Sequence, residues 1–82
     1  MINEEAFVEY IRKMMPDADI TLVDKTGMMD HFKVRVVSEA FAEKNLLDRH
    51  RLVQKSLDEP MKDGRIHALE IKAHTPEEFA AL

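Results

Sequence analysis

The sequence predicts an α+β domain in which helices cover one face of a three-stranded sheet. Three observations support this class: two segments space their apolar residues as helices do, three short segments alternate apolar and polar residues, and turn-forming residues separate the segments. The predicted order is helix, strand, strand, helix, helix, strand and a short C-terminal helix. Because 82 residues can bury one modest core, we expect a single domain over residues 1–82.

The first half of the chain predicts a helix followed by a β-hairpin. Asn3 can cap a helix over Glu4–Met15, and Pro16 ends it. Residues 19–24 and 31–38 should pair as antiparallel strands around the turn between them. The apolar stripe of the helix contains Phe7, Ile11, Met14 and Met15, while the strands direct Ile20, Leu22, Phe32, Val34 and Val36 inward and His31, Lys33 and Arg35 outward.

The second half predicts two helices, a strand and a terminal helix. Asn45 can cap the first of these helices, and Pro60 interrupts or restarts it before a stop at Gly64. Residues 65–73 read as a strand, and Thr75 to Glu78 form a capping box that opens the last helix. The helical stripe contains Leu46, His50, Val53 and Leu57, widened by Leu47, and the strand places His67, Leu69 and Ile71 on one face with Ile66 and Ala68 on the other.

Composition excludes several classes of function. The chain has no cysteine, so disulfides and thiolate metal cages are excluded, and we expect a cytoplasmic protein. No apolar stretch approaches the roughly 20 residues that span a bilayer, so we expect no membrane segment. The net charge of −4 argues against a general nucleic-acid binder. A chain this small rarely holds a complete catalytic site, which favours a binding or adaptor role over an enzyme.

The four histidines are the main candidates for chemistry. His67 could serve as a ligand or proton carrier, or it could be a hydrogen-bonded structural residue of its strand. His31 should lie exposed at the mouth of the hairpin loop, and His74 should also be exposed. His50 should pack between its helix and the sheet. No tight spacing such as HExxH occurs, so a self-contained zinc site is not expected.

One basic cluster lies within the second helix. Arg49 and Arg51 flank His50, and Lys55 follows one turn later. These side chains could contact phosphates, or the arginines could pair with Asp48 and nearby acids at the surface. Both interpretations are open from spacing alone.

Three segments together give the chain a family resemblance. They are HFKVRVVS at 31–38, Phe41 with RHRLV at 49–53, and IHALEIK at 66–72 followed by TPEEF at 75–79. In this order they resemble the BolA family over nearly the whole chain. The resemblance implies a type II KH-like topology, although the GXXG loop by which KH domains grip RNA is absent. One departure is Glu43, where the family usually has glycine two residues after the phenylalanine.

The resemblance implies a non-enzymatic adaptor in iron–sulfur cluster assembly or trafficking, or in iron regulation. Such proteins share a [2Fe-2S] cluster with a monothiol glutaredoxin, which brings its cysteine and a glutathione. The family's C-terminal ligand corresponds to His67, and His31 is the histidine available near the hairpin loop, although Met28 or Met29 could occupy the usual ligand register. In such a heterodimer the chain holds no cluster alone.

Two rival interpretations and one oligomeric state stay open. The first rival, a DNA-binding transcription regulator, is also attributed to members of this family, and its candidate residues are Arg49, Arg51, Lys55 and Lys72. The second is a protein-interaction module whose histidines are structural. A weak homodimer of the free chain is also open.

Overall fold

The computed structural model describes residues 1–82, and its order of elements confirms the predicted one. A short 3-10 turn at Glu39–Phe41 joins the hairpin to the helices that follow. None of the helices combines the length and the apolar composition that a membrane span requires. The elements are α1 (Glu4–Met14), β1 (Asp19–Asp24), β2 (His31–Val37), α2 (Leu46–Ser56), α3 (Asp58–Lys62), β3 (Ala68–His74) and α4 (Pro76–Ala80).

The sheet has the strand order β1-β2-β3. β1 and β2 form the predicted antiparallel hairpin, with Leu22 opposite Val34. β3 joins the other side of β2 in parallel, with His31 opposite Ala68 and Val37 opposite His74. Because parallel strands start at the same edge of a sheet, this register brings the start of β2 next to the residues that precede β3.

The hydrophobic core lies between one face of the sheet and helices α1 and α2. Phe32 and Phe7 meet edge to face at its centre, with ring centroids 5.2 Å apart. Burying side chains of this size contributes roughly 1.5–3 kcal/mol each, so this face fixes the register of both helices. The other large, fully buried apolar side chains of the core are Ile11, Met15, Val34, Val36, Phe41, Val53 and Leu57.

Helix α4 contacts the opposite face of the sheet. Thr75 and Glu78 form the predicted capping box, with Pro76 at the first helical position. The ring of Phe79 lies 4.7 Å from the guanidinium carbon of Arg35, a side chain that points away from the core. The C-terminal helix therefore covers part of the sheet face that α1 and α2 leave open.

Three residues predicted to be buried are exposed. Leu46 and Leu47 are 65% and 57% exposed, because the first turn of α2 projects beyond the elements that cover its later turns. Met14 is 40% exposed at the end of α1, whereas Met15 fills the core as expected. His50 is half-buried, so the buried stripe of α2 begins only at Val53.

Candidate metal-binding site

His31 and His67 lie side by side at the edge of the sheet where β2 and β3 begin. His31 is the first residue of β2, and His67 immediately precedes β3. The backbone carbonyl of Asp30 accepts hydrogen bonds from the N–H groups of His67, at 2.8 Å, and of Ala68, at 3.3 Å. The sheet ladder thus extends one residue beyond the strands and holds both histidines in register.

The two imidazole rings meet edge to face, with centroids 5.7 Å apart and planes at 88°. The carboxylate of Asp30 joins them, because its Oδ1 lies 2.8 Å from Nδ1 of His31 and its Oδ2 lies 3.3 Å from Nδ1 of His67. One donor atom from each of the three residues lies within 4.8 Å of the other two. Two imidazoles and a carboxylate form a donor set suited to a first-row transition metal.

Asp30 is the least exposed of the three side chains. It is 15% exposed, whereas the side chains of His31 and His67 are 41% and 57% exposed. Thr26 donates its hydroxyl to Asp30 Oδ1 at 3.1 Å. The hydrogen bond from His31 is the main cause that holds the pKa of Asp30 below its ordinary value, so the carboxyl is ionised at neutral pH.

The hairpin loop that carries Asp30 is held by a second carboxylate. Asp24 accepts backbone hydrogen bonds from Gly27, at 3.0 Å, and from Met29, at 3.2 Å. Gly27 and Met29 both adopt positive φ, at 80° and 57°. These contacts close the turn locally, so the position of Asp30 does not depend on a partner. Met28, a candidate from the resemblance, is 65% exposed, and Met29 packs against the core.

The position of His67 differs from the prediction. β3 begins at Ala68, so His67 is not on the strand and does not share the inward parity of Leu69 and Ile71. Ile66, predicted on the opposite face, is instead only 2% exposed and belongs to the core. Its backbone N–H donates a hydrogen bond to the carbonyl of Pro60. Alternation fails here because the residues before the strand have no pleat to follow. His31 has the predicted outward direction.

An open cleft of about 410 Å³ lies beside His31 and the first residues of β3. Lys25, Thr26 and Glu70 are among its lining residues. A group from a second molecule that approaches His31 would therefore meet a concave surface with charges of both signs. The cleft-lining residues are Lys25, Thr26, His31, Phe32, Ala68, Leu69 and Glu70.

Sequence reasoning identified the two histidines and missed Asp30. The signal that could have found it is the Asp30–His31 pair at the start of a strand, since adjacent carboxylate and imidazole groups often orient one another. The contact between Asp30 and His67 joins residues that are 37 positions apart in the sequence. It depends on the parallel pairing of β2 with β3, which no local pattern reveals.

The four residues considered for DNA binding do not form one surface. Arg49 is 14% exposed. Its guanidinium donates hydrogen bonds to the carboxylate of Glu78 and to the backbone carbonyls of Lys44 and Ala73. Its expected role as a phosphate contact is therefore replaced by a structural one. Lys72 lies on the sheet face opposite α2 and is thus separated from the helix that carries the arginines.

Arg51 and Lys55 remain exposed on the outer side of α2. Arg51 makes only a long contact of 3.8 Å with Asp48, and both partners are largely exposed. Pairs of this kind contribute little to stability. These two cations are free for another contact.

Comparison with known proteins agrees with the resemblance. Residues 16–78 match the family model described as BolA-like protein. Protein BOLA2 of Arabidopsis thaliana is 38% identical over 81 residues, which cover 96% of this chain and 85% of that protein. A Vibrio cholerae protein named DNA-binding transcriptional regulator BolA is 37% identical over 78 residues, covering 95% of this chain and 71% of the relative.

A solved structure, BolA1 from Arabidopsis thaliana, matches in fold as well as in sequence. Its TM-score is 0.83 at 32% identity, and the match covers 95% of this chain and 98% of that one. The resemblance inferred from the HFKV, RHR, IHAL and TPEE segments is thereby confirmed. This chain belongs to the BolA-like protein family.

Proposed function

We propose that the chain is an adaptor in iron–sulfur cluster assembly or trafficking, or in iron regulation, and that it shares a [2Fe-2S] cluster with a monothiol glutaredoxin. The observation that carries the proposal is the pairing of His31 and His67 on one exposed edge. In this proposal the two histidines bind one iron, and the glutaredoxin cysteine with a glutathione thiolate binds the other.

The donor set supports this division of ligands. The chain has no cysteine, so the thiolates must come from outside. Two imidazoles on one iron at about 2.0–2.1 Å lie roughly 3.3 Å apart. One donor atom from each residue of the three-residue cluster lies within 4.8 Å of the other two, which is near the separation that one iron requires.

The exposure of the rings supports a site completed by a partner. His31 and His67 are both about half exposed, and His31 lines the open cleft, so a second protein can reach them without unfolding the chain. A two-histidine iron raises the reduction potential of a [2Fe-2S] cluster relative to an all-thiolate one. Such a cluster suits transfer or sensing.

The test is reconstitution of the heterodimer. The chain, a monothiol glutaredoxin, iron, sulfide and glutathione should give a complex whose visible absorption and circular dichroism differ from those of the glutaredoxin alone. His67→Ala should abolish that difference, and His31→Ala should weaken it. His74→Ala is the matched control, because His74 lies at the opposite end of β3. An unchanged spectrum with His67→Ala would remove the ligand assignment.

A second candidate function is DNA binding. The Vibrio cholerae relative carries that activity in its name, and Arg51 and Lys55 are free cations on α2. Duplex DNA titrated at two salt concentrations should bind more weakly at the higher concentration. At a fixed salt concentration, the double variant Arg51→Ala/Lys55→Ala should bind DNA more weakly than the unmodified chain does. Arg49→Ala is unsuitable for this test because it breaks structural contacts. Binding that is insensitive to salt and to both substitutions would reject this function.

A further inference from the structure

Three side chains with metal-binding atoms converge where β2 and β3 begin. A cluster site with two histidine ligands would require only two of them. We propose that Asp30, His31 and His67 together bind a single divalent transition-metal ion in the isolated chain, with the Asp30 carboxylate as a direct ligand. The site shares its histidines with the proposed cluster site, but it does not require a partner.

The spacing of the donor atoms is close to what such an ion requires. Metal bonds of about 2.0–2.2 Å place adjacent ligand atoms roughly 3.0–3.5 Å apart. Asp30 Oδ1 lies 2.8 Å from His31 Nδ1, Asp30 Oδ2 lies 3.3 Å from His67 Nδ1, and one donor atom from each residue lies within 4.8 Å of the other two. Each Nδ1 therefore already lies at about the ligand-to-ligand distance from a carboxylate oxygen.

The chemistry of the metal-free site also favours a cation at this point. A carboxylate oxygen and an unprotonated imidazole nitrogen each offer an electron pair, so both Nδ1 atoms can bind an ion when each ring carries its proton on Nε2. The charge of the ion is balanced in part by the ionised Asp30.

The surrounding contacts hold Asp30 in place before a metal binds. Its carboxylate accepts a hydrogen bond from the hydroxyl of Thr26, and its backbone carbonyl accepts hydrogen bonds from the N–H groups of His67 and Ala68. Three ligands on one side leave further coordination positions open toward the exposed faces of the rings. Two histidines and one carboxylate with open positions form a known ligand set for iron(II), and the same donors accept zinc and cobalt(II).

The first experiment uses cobalt(II) alone, without glutaredoxin or sulfide. The isolated chain should show d–d absorption that saturates at one ion per chain. Asp30→Asn, His31→Ala and His67→Ala should each weaken binding by about tenfold or more, since even loss of an outer partner commonly costs that much. His74→Ala and Asp58→Asn, a histidine and an aspartate away from the site, should bind as the unmodified chain does.

A second experiment decides whether Asp30 touches the ion. Zinc added to ¹⁵N-labelled chain should move the Nδ1 resonances of His31 and His67 and leave both Nε2 atoms protonated. If the Nε2 resonances move instead, Asp30 only orients the rings and the proposal is overturned. Absence of saturable cobalt binding, or undiminished binding by Asp30→Asn, would also overturn it. The cluster proposal fails on a different result, a heterodimer spectrum that does not depend on His67.

Discussion

The guanidinium of Arg49 and the carboxylate of Glu78 form a two-point ion pair, with Nη1–Oε1 and Nη2–Oε2 distances of 2.6 Å and 3.0 Å. The same guanidinium group also donates to the carbonyls of Lys44 and Ala73. One side chain thus ties α2 to the end of β3 and to α4. The most basic segment of the sequence is therefore anchored to the protein at its first arginine.

We expect Arg49→Ala to lower the free energy of unfolding by about 1–2 kcal/mol, because it leaves two carbonyls without their donor and breaks the pair with Glu78. Arg51→Ala should change stability by less than about 0.5 kcal/mol, since Arg51 is exposed and makes only a long contact. Urea unfolding followed by circular dichroism measures both. Equal effects of the two substitutions would contradict the structural role of Arg49.

The same ion pair predicts a loss of stability in acid. The hydrogen bonds from Arg49 are the main cause that lowers the pKa of Glu78 from 4.5 to about 2. Because the folded-state pKa is depressed, the stabilisation is complete above the unfolded value of 4.5 and is lost as the pH falls toward 2.

The measurement is a series of urea midpoints across that acid range. Glu78→Gln should flatten the decline, because the substituted chain has no carboxylate to protonate at this position. The neighbouring Glu77→Gln serves as the control, because Glu77 is exposed and makes no ion pair. A decline of the same steepness in Glu78→Gln would show that another carboxylate controls the acid response, such as Asp17, whose pKa is lowered by the hydrogen bonds it accepts from Ser38 and Glu39.

Glu43 predicts a stabilising substitution. Its φ is 63°, in the left-handed region that costs an L-residue roughly 1–2 kcal/mol. Glu43→Gly should raise the free energy of unfolding by about 0.5–1 kcal/mol, since part of the relief is offset by the greater freedom of glycine in the unfolded chain.

The control for that prediction is Glu43→Ala, which removes the charge and keeps the β-carbon. Thermal unfolding of the three chains separates backbone strain from charge. If Glu43→Ala stabilises as much as Glu43→Gly, the gain comes from the lost carboxylate and the strain argument is wrong.

The sequence predicted the contacts between residues close together in the chain and missed those between distant segments. Asn3, Asn45 and Thr75 act within three residues of their partners, and all three helix caps are confirmed. The hairpin is confirmed because its strands are separated only by a short turn. Asp30 and Arg49 gained their roles from parallel pairing and from α4, contacts between distant segments that no local spacing encodes.

A last prediction concerns the cluster itself and rests on the proposed function. His67→Cys should give a heterodimer that still assembles a cluster, because a thiolate binds iron at least as well as an imidazole does. Its reduction potential should fall by about 100 mV or more, since clusters with two histidine ligands lie several hundred millivolts above all-thiolate ones. Spectroelectrochemical titration measures the change, and His74→Cys controls for a new thiol away from the site. A potential that is the same in the two variants would mean that residue 67 does not bind the iron.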